Sequence, residues 1–434
     1  MALHDPEPVQ QQPGATFAPA AFRALIVPRR AVGGEQRLTV AGITVAERQR
    51  RQLVRLGATR VDELTENFIP GGGPVLLIEA GLVADERLIS ALLVAARQRG
   101  CSARPLLAIG PDGQPGGLAW LSVGSSHPGW EALIASDPDR FDLAPGDTYS
   151  PDRRRNVAVL WERPRNSTSA RNAAAQILDA AQKGCLDWPA RFIHPPIENA
   201  VVRLLWPSPI SPNMVSLLCF ALGLYAAWCF ATGALWTGLL IALAIGPIDG
   251  IDGKLARTRI EFSRWGDLEH VGDKIVEYSW FAGLAAMLGT AWAWAFAALI
   301  VCTALSEALL GEFYRRMTGT QLDDAGSFER AYRLVSGRRN TFFWCLLPFA
   351  WFGAWGAGLV MIAVYASVNF FVMLWRFFIR LAEYGRAHSA AIAANLDATG
   401  YGVLASAADC VALDGYQGGT AGPLRPPDSQ LEMR

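Results

Sequence analysis

Two short runs of carboxylates stand out for their spacing. Asp249 and Asp252 are three residues apart in Asp249-Gly250-Ile251-Asp252-Gly253-Lys254-Leu255-Ala256-Arg257. On a helix they share a face. Glu269 and Asp273 are four apart and share a face of the next helical segment. Four carboxylates that converge beside lipid are costly unless a cation neutralises them. Hard oxygen donors suit Mg²⁺ or Mn²⁺. Gly253 and Ala256 leave bare backbone for a flat or phosphorylated ligand. Arg257 supplies a planar fork for phosphate. Two metal ions with an arginine are suited to phosphoryl transfer.

The same residues resemble the signature of the CDP-alcohol phosphatidyltransferase family: D-x-x-D-G-x-x-A-R, about eight residues, then G-x-x-x-D-x-x-x-D. The first nine positions match in full, and Gly266 falls where the next glycine belongs. The two following aspartates would then fall at His270 and Lys274, which cannot act as carboxylates. Moving one residue earlier gives Glu269 and Asp273 with the four-residue spacing kept. The resemblance covers roughly 190–385, including Pro212-Asn213 ahead of the first span. It implies transfer of a substituted phosphate from a CDP-alcohol to an acceptor hydroxyl, with CMP leaving, in phospholipid biosynthesis. It implies that Asp249, Asp252, Glu269 and Asp273 hold two ions, Mg²⁺ or Mn²⁺. It assigns Gly253, Ala256, Arg257 and Gly266 to the donor side and makes Asp273 the general base. It also implies a homodimer. Arg338 and Arg339, just before the fifth span, are candidates for an acceptor phosphate.

The elements that must position these residues are membrane helices. Residues 204–248, 278–306 and 340–375 contain no Asp, Glu, Lys, Arg or His. A span needs about 20 apolar residues. The first and third runs each hold two spans, turning near Thr232-Gly233-Ala234 and Gly353–Gly358. The middle run, with its patterned flanks, supports helices over roughly 266–288 and 291–316. Six spans result. Lys254, Arg257, Arg259 and Arg264 lie in one polar loop, and Arg315, Arg316, Arg330, Arg333, Arg338 and Arg339 in another. The opposite turns are uncharged. The positive-inside rule then puts both termini and the carboxylates on the cytoplasmic side of the cytoplasmic membrane. Trp236, Trp292, Trp294 and Trp344 sit where interfacial anchors belong, and Glu307 must face other helices or water.

The N-terminal part reads differently. Residues 22–161 alternate apolar runs with helical patterns, an α/β signature. Phe22–Val27, Pro74–Ala80, Pro105–Ile109 and Val157–Trp161 read as strands; Val45–Leu56 and Asp85–Arg97 read as amphipathic helices. Gly42–Arg48, with Leu53 and Leu56–Thr59, resembles the stretch after the first strand in sugar nucleotidyltransferases. The phosphate loop of that family is reduced here to Pro28–Glu35, and Glu79-Ala80-Gly81-Leu82 stands where a metal-binding Asp is usual. A domain inactive in nucleotidyl transfer is therefore expected. The organisation is a disordered 1–20, an α/β domain over 21–165, a linker with juxtamembrane helices over 166–212, a six-span domain over 213–380 and a tail over 381–434.

Composition narrows the classes. The chain has 434 residues, 39 basic and 39 acidic, and 51% hydrophobic residues. Zero net charge argues against a non-specific nucleic-acid binder; the partners expected are the CDP-alcohol, the hydroxyl acceptor and the lipid bilayer. Seven scattered cysteines without a CxxC pair suit a reducing compartment, and the polar N-terminus has no signal-peptide pattern. The alternatives are inositol phosphate transfer from CDP-inositol, with or without a cytidylyltransferase, and a non-catalytic membrane scaffold.

Overall fold

A computed structural model of the protein describes residues 22–28, 38–64, 73–99, 104–122, 130–143, 149–150, 153–262 and 266–398; the side chains of 266–270 and 387–398 lie outside this description. The expectations for 1–20 and for most of the 28–35 loop fall outside it, as does Arg264.

The N-terminal region is built on a six-stranded mixed sheet. Its strands run, edge to edge, Ala58–Glu63, Phe22–Val27, Val75–Glu79, Pro115–Leu121, Leu106–Ile109 and Asp139–Asp142. Pro115–Leu121 is antiparallel to both its neighbours, and the other pairs are parallel. Helices α1 (Val45–Arg55), α2 (Glu86–Gln98) and α3 (Trp130–Ala135) accompany the sheet. Thr44 caps α1 by accepting from the Glu47 N–H, and Asp85 caps α2 by accepting from the Arg87 N–H. Apolar faces of the sheet and of α2 (Ile78, Leu88, Ile89 and Leu92 among them) form one core. The expected strand over 157–161 is not formed: only Trp161–Glu162 pairs, antiparallel to Val83–Ala84. Apolar alternation there reflects burial of Val157 and Leu160 in an irregular segment.

Helix α4 (Ser167–Ala180) opens with a capping box at Asn166. A π-helical turn, Pro189–Ile193, leads into α5 (His194–Leu205). Its His194, Glu198 and Val202, one helical stripe, are buried, whereas Phe192, Ile197 and Leu204 face outward. That division suits a helix lying on a lipid surface.

The helical region follows as α6 (Pro212–Ala231), α7 (Leu235–Arg259), α8 (Gly266–Leu288), α9 (Ala291–Thr318), a 3₁₀ turn at Leu322–Asp324, α10 (Ser327–Tyr332), α11 (Arg339–Trp351) and α12 (Trp355–Ala398). Ser211 caps α6, with Pro212 in its first turn. Six helices thus occupy the positions read as spans. Among the described residues, α6, α7, α9 and α12 are long and apolar enough to cross a membrane. α11, 13 residues long, reaches only about 20 Å at 1.5 Å per residue. The expected count of six spans is not confirmed: four helices have spanning length and composition, with α8 and α11 beside them. α12 also runs past residue 380 to Ala398.

Aromatic side chains fill the centre of the bundle. Trp280 stands edge-on to Phe343 at 4.9 Å, and Phe281 stacks on Phe343 at 5.6 Å. Each such buried ring contributes about 1.5–3 kcal/mol. The Trp280 indole N–H donates to the Gly223 carbonyl at 2.8 Å, which ties α8 to α6. This aromatic floor lies directly under the polar end of the bundle, for Arg339 stands 5.9 Å from the Trp280 ring.

Candidate active site

Pro247 lies inside α7 and cannot donate a backbone hydrogen bond, so the helix is locally weakened just before Asp249. The motif occupies the last three turns of α7. Asp249 and Asp273, on α7 and α8, both face the guanidinium of Arg339 at the start of α11. Its Nη2 donates to Asp249 Oδ2 at 2.8 Å, and its Nη1 lies 3.5 Å from Asp273 Oδ1. One fork therefore draws three helices together, and two carboxylates 24 residues apart in sequence meet on it. Asp252 is buried, accepting from the Ser216 hydroxyl at 2.7 Å and from the Gly253 N–H. Ser216 is a site neighbour that sequence reasoning missed; no spacing rule links α6 to the motif.

Gly253 and Arg257 act together. A Cβ on Gly253 would sit 2.9 Å from Arg257 Nη1, so the absent side chain is what lets the guanidinium lie along α7. Arg257 Nε donates to the Ala181 carbonyl at 2.8 Å, just past α4. Ala256 is half-buried between them. Gly266 and Glu269 belong to α8, with their side chains outside the described residues, as is that of His270.

Behind the motif lies a second polar group. Lys254, 1% exposed, pairs with Glu198 of α5 at 2.8 Å and donates to Asn199 at 2.7 Å. Glu198 lies so close to α7 that a Cβ on Gly250 would meet its carboxylate at 2.3 Å. Sequence alone gave no sign of this pair, because Glu198 lies in another element.

Arg338 and Arg339 part company. Arg339 enters the carboxylate site, while Arg338 lines a separate cavity of about 270 Å³ together with Glu277, Glu307, Arg315 and Asp323. Its nearest carboxylates are Glu307 at 3.9 Å and Asp323 at 4.0 Å, and its buried Nε has no hydrogen-bond partner among the described residues. Glu307 accepts from Asn369 at 2.7 Å, so it faces another helix, as expected. Asp323, in the 3₁₀ turn, is held by Arg154 at 2.8 Å and Arg333 at 3.2 Å. Burial would raise its pKa, but these arginines outweigh burial and hold the carboxyl below the usual range.

The donor set of the site is oxygen-only: Asp249, Asp252 and Asp273, with Glu269 on the same helix as Asp273. That chemistry fits a hard divalent cation. Among the described residues no three such side chains are already gathered at ligand spacing; the Arg339 guanidinium stands between two of them.

The N-terminal sheet ends differently. Glu79, at the end of the strand where the sugar nucleotidyltransferase resemblance places a metal carboxylate, is buried and paired with Arg163 at 3.0 Å. Arg163 also reaches Asp112 at 2.8 Å.

The CDP-alcohol phosphatidyltransferase family profile matches residues 209–326, which contain the whole carboxylate motif. A protein of Aquifex aeolicus named bifunctional IPC transferase and DIPP synthase is 25% identical over 169 residues, 38% of each chain. Proteins of the same name from Thermococcus kodakarensis and Rubrobacter xylanophilus are 28% identical over 172 residues and 34% identical over 139 residues. These matches span 39%, and 32%, of the respective relatives. The chain thus aligns with about two-fifths or less of each relative's length, and within it residues 209–326 match the CDP-alcohol phosphatidyltransferase family.

Proposed function

We propose that the protein transfers a substituted phosphate from a CDP-alcohol to an acceptor hydroxyl and releases CMP. The observation that carries this reading is the convergence of Asp249 and Asp273, both inside the matched segment, on Arg339 of α11 beyond it. Asp249, Asp252, Glu269 and Asp273 would hold two ions, Mg²⁺ or Mn²⁺. When bound, such ions neutralise the diphosphate and favour departure of the nucleotide. Arg257, over Gly253 and Ala256, binds the CDP part, and Gly266 is assigned to the same donor. Asp273 is partly exposed and takes the proton of the acceptor hydroxyl. The acceptor oxygen bonds to phosphorus as the bond from that phosphorus to CMP breaks.

The cavity at Arg338 supports a polar, phosphorylated acceptor. Arg338 has no carboxylate closer than 3.9 Å, and its Nε has no hydrogen-bond partner among the described residues, which suits it to an anion. A polyol phosphate, whether glycerol phosphate of phospholipid biosynthesis or an inositol phosphate, has that chemistry. The basic loops support a site, and both termini, facing the cytoplasm; a homodimer belongs to the same reading. CMP release from purified protein, tested with CDP-diacylglycerol and CDP-inositol against both acceptors, distinguishes the two substrate pairs. Release should cease on exhaustive EDTA treatment and return with Mg²⁺ or Mn²⁺. Turnover that survives metal removal would exclude the two-ion scheme.

The names of the relatives favour a second activity in the N-terminal region. The Glu79–Arg163 pair counts against it, because an internal arginine already neutralises the carboxylate. The protein is expected to release no pyrophosphate from CTP with inositol phosphate or a sugar phosphate. Pyrophosphate release with any of them would restore the bifunctional reading.

A further inference from the structure

The end of α7 is capped by another domain. The last carbonyls of a helix have no partner within it. At this end the Ile260 and Glu261 N–H groups both turn back to the Ala256 carbonyl, the latter at 2.9 Å. The first is the bond of the αL motif and the second the 6→1 bond of the Schellman motif, and both require left-handed backbone just beyond the helix. Glycine normally takes that place; here it is Ile260, at φ +55° and ψ +49°. A β-branched residue is sterically disfavoured there and persists only when its surroundings over-determine it.

The surroundings come from α1 of the N-terminal region. Arg48, 3% exposed, donates from Nη2 to the Thr258 carbonyl. Arg51 Nη1 donates to the Arg259 carbonyl at 2.9 Å and pairs with Glu261 at 2.8 Å. Arg55 lies over the Phe262 ring at 4.1 Å. These three arginines share one face of α1 and meet residues 258–262 in order. Cations at a helix C-terminus also complement its dipole. The turn they hold begins at the residue after Arg257.

We propose that α1 is a positioning element of the transferase: Arg48 and Arg51 cap α7 across the domain boundary and so hold Arg257 against its ligand. This rests on the transfer reading given above for its effect on turnover. It gives the N-terminal region a task that needs no nucleotidyl transfer.

The test uses the full-length chain. Arg48→Met with Arg51→Met keeps much of the bulk and removes the donors. The double variant should show faster backbone hydrogen exchange over 256–262. Its kcat/KM for the CDP-alcohol should fall about 10–100-fold, the scale of a small misplacement of a binding group. Ile260→Gly alone should leave turnover unchanged. Added to the double variant it should recover most of the loss, because glycine adopts the left-handed turn without support. General damage to the N-terminal domain would not be repaired by a change at 260. If the wild-type chain turns over and the double variant matches it, or if Ile260→Gly restores nothing, the positioning proposal is wrong and the transfer reading stands. If the wild type releases no CMP from any CDP-alcohol, the transfer reading falls, and unchanged exchange over 256–262 in the double variant would remove the cap as well.

Discussion

Replacing Asp273 with asparagine is expected to lower CMP release by about 10²–10⁴-fold, the usual cost of losing a positioned general base. Asparagine keeps the size of the side chain and can still accept from Arg339, so the junction of α7, α8 and α11 should survive. What disappears is the proton acceptor and one negative charge for the ions, and the second loss adds to the first. Glu269→Gln should also be severe, through metal binding. His270 lies about 100° around the helix from Glu269, so His270→Ala should retain most activity. The comparison checks the one-residue register on α8. Abolished turnover in folded His270→Ala protein, with Glu269→Gln active, would require the site to be redrawn around His270.

The second large effect separates adjacent arginines. Arg339→Ala removes the fork between Asp249 and Asp273 and should lower kcat/KM by about 10²–10³-fold, as loss of one preorganised charge donor does. Arg339→Lys should restore little, because an ammonium cannot span two carboxylates as a planar guanidinium does. Arg338→Ala should instead raise the KM for a phosphorylated acceptor by about 10–100-fold, equivalent to a charge-assisted hydrogen bond of about 1.5–3 kcal/mol. Its KM for the CDP-alcohol should stay near that of the wild type. Varying both substrates in steady-state assays resolves the two. If both variants change the same parameter by the same factor, the arginines serve one ligand and the division into two pockets is mistaken.

What the sequence revealed follows the range of the interactions involved. The turn around Thr232-Gly233-Ala234 and the extents of α1 and α2 were legible, because uncharged runs and helical apolar periodicity act within a few residues. Asp249, Asp252 and Arg257 were legible through fixed spacing on one helix. The strand Pro115–Leu121 was hidden by its opening Pro-Gly-Gly, which reads as a turn. The 157–161 segment misled because burial mimics strand alternation. Arg338 and Arg339 were read as a pair because sequence adjacency does not show that the helix begins between them: Arg338 is extended N-cap backbone and Arg339 is the first residue of α11. Ser216, Glu198 and the arginines of α1 join the site from 36 to more than 200 residues away, and only tertiary packing brings them there.

The buried contact of α5 with α7 bears on how such motifs change over evolution. In Asp249–Arg257, the family signature specifies five residues for their chemistry and leaves positions 250 and 254 open, yet here Gly250 and Lys254 are constrained by packing against α5. A side chain at 250 would displace Glu198, and a displaced Glu198 leaves a lysine charge stranded in a nearly water-free place. Invariance along these nine positions would therefore mix two selective pressures, one from the reaction and one from a neighbouring helix. Loss of either charge would strand the other, so changes at 198 and at 254 are expected to occur together. A chain that has given up catalysis would release the aspartates first and keep its glycine and lysine.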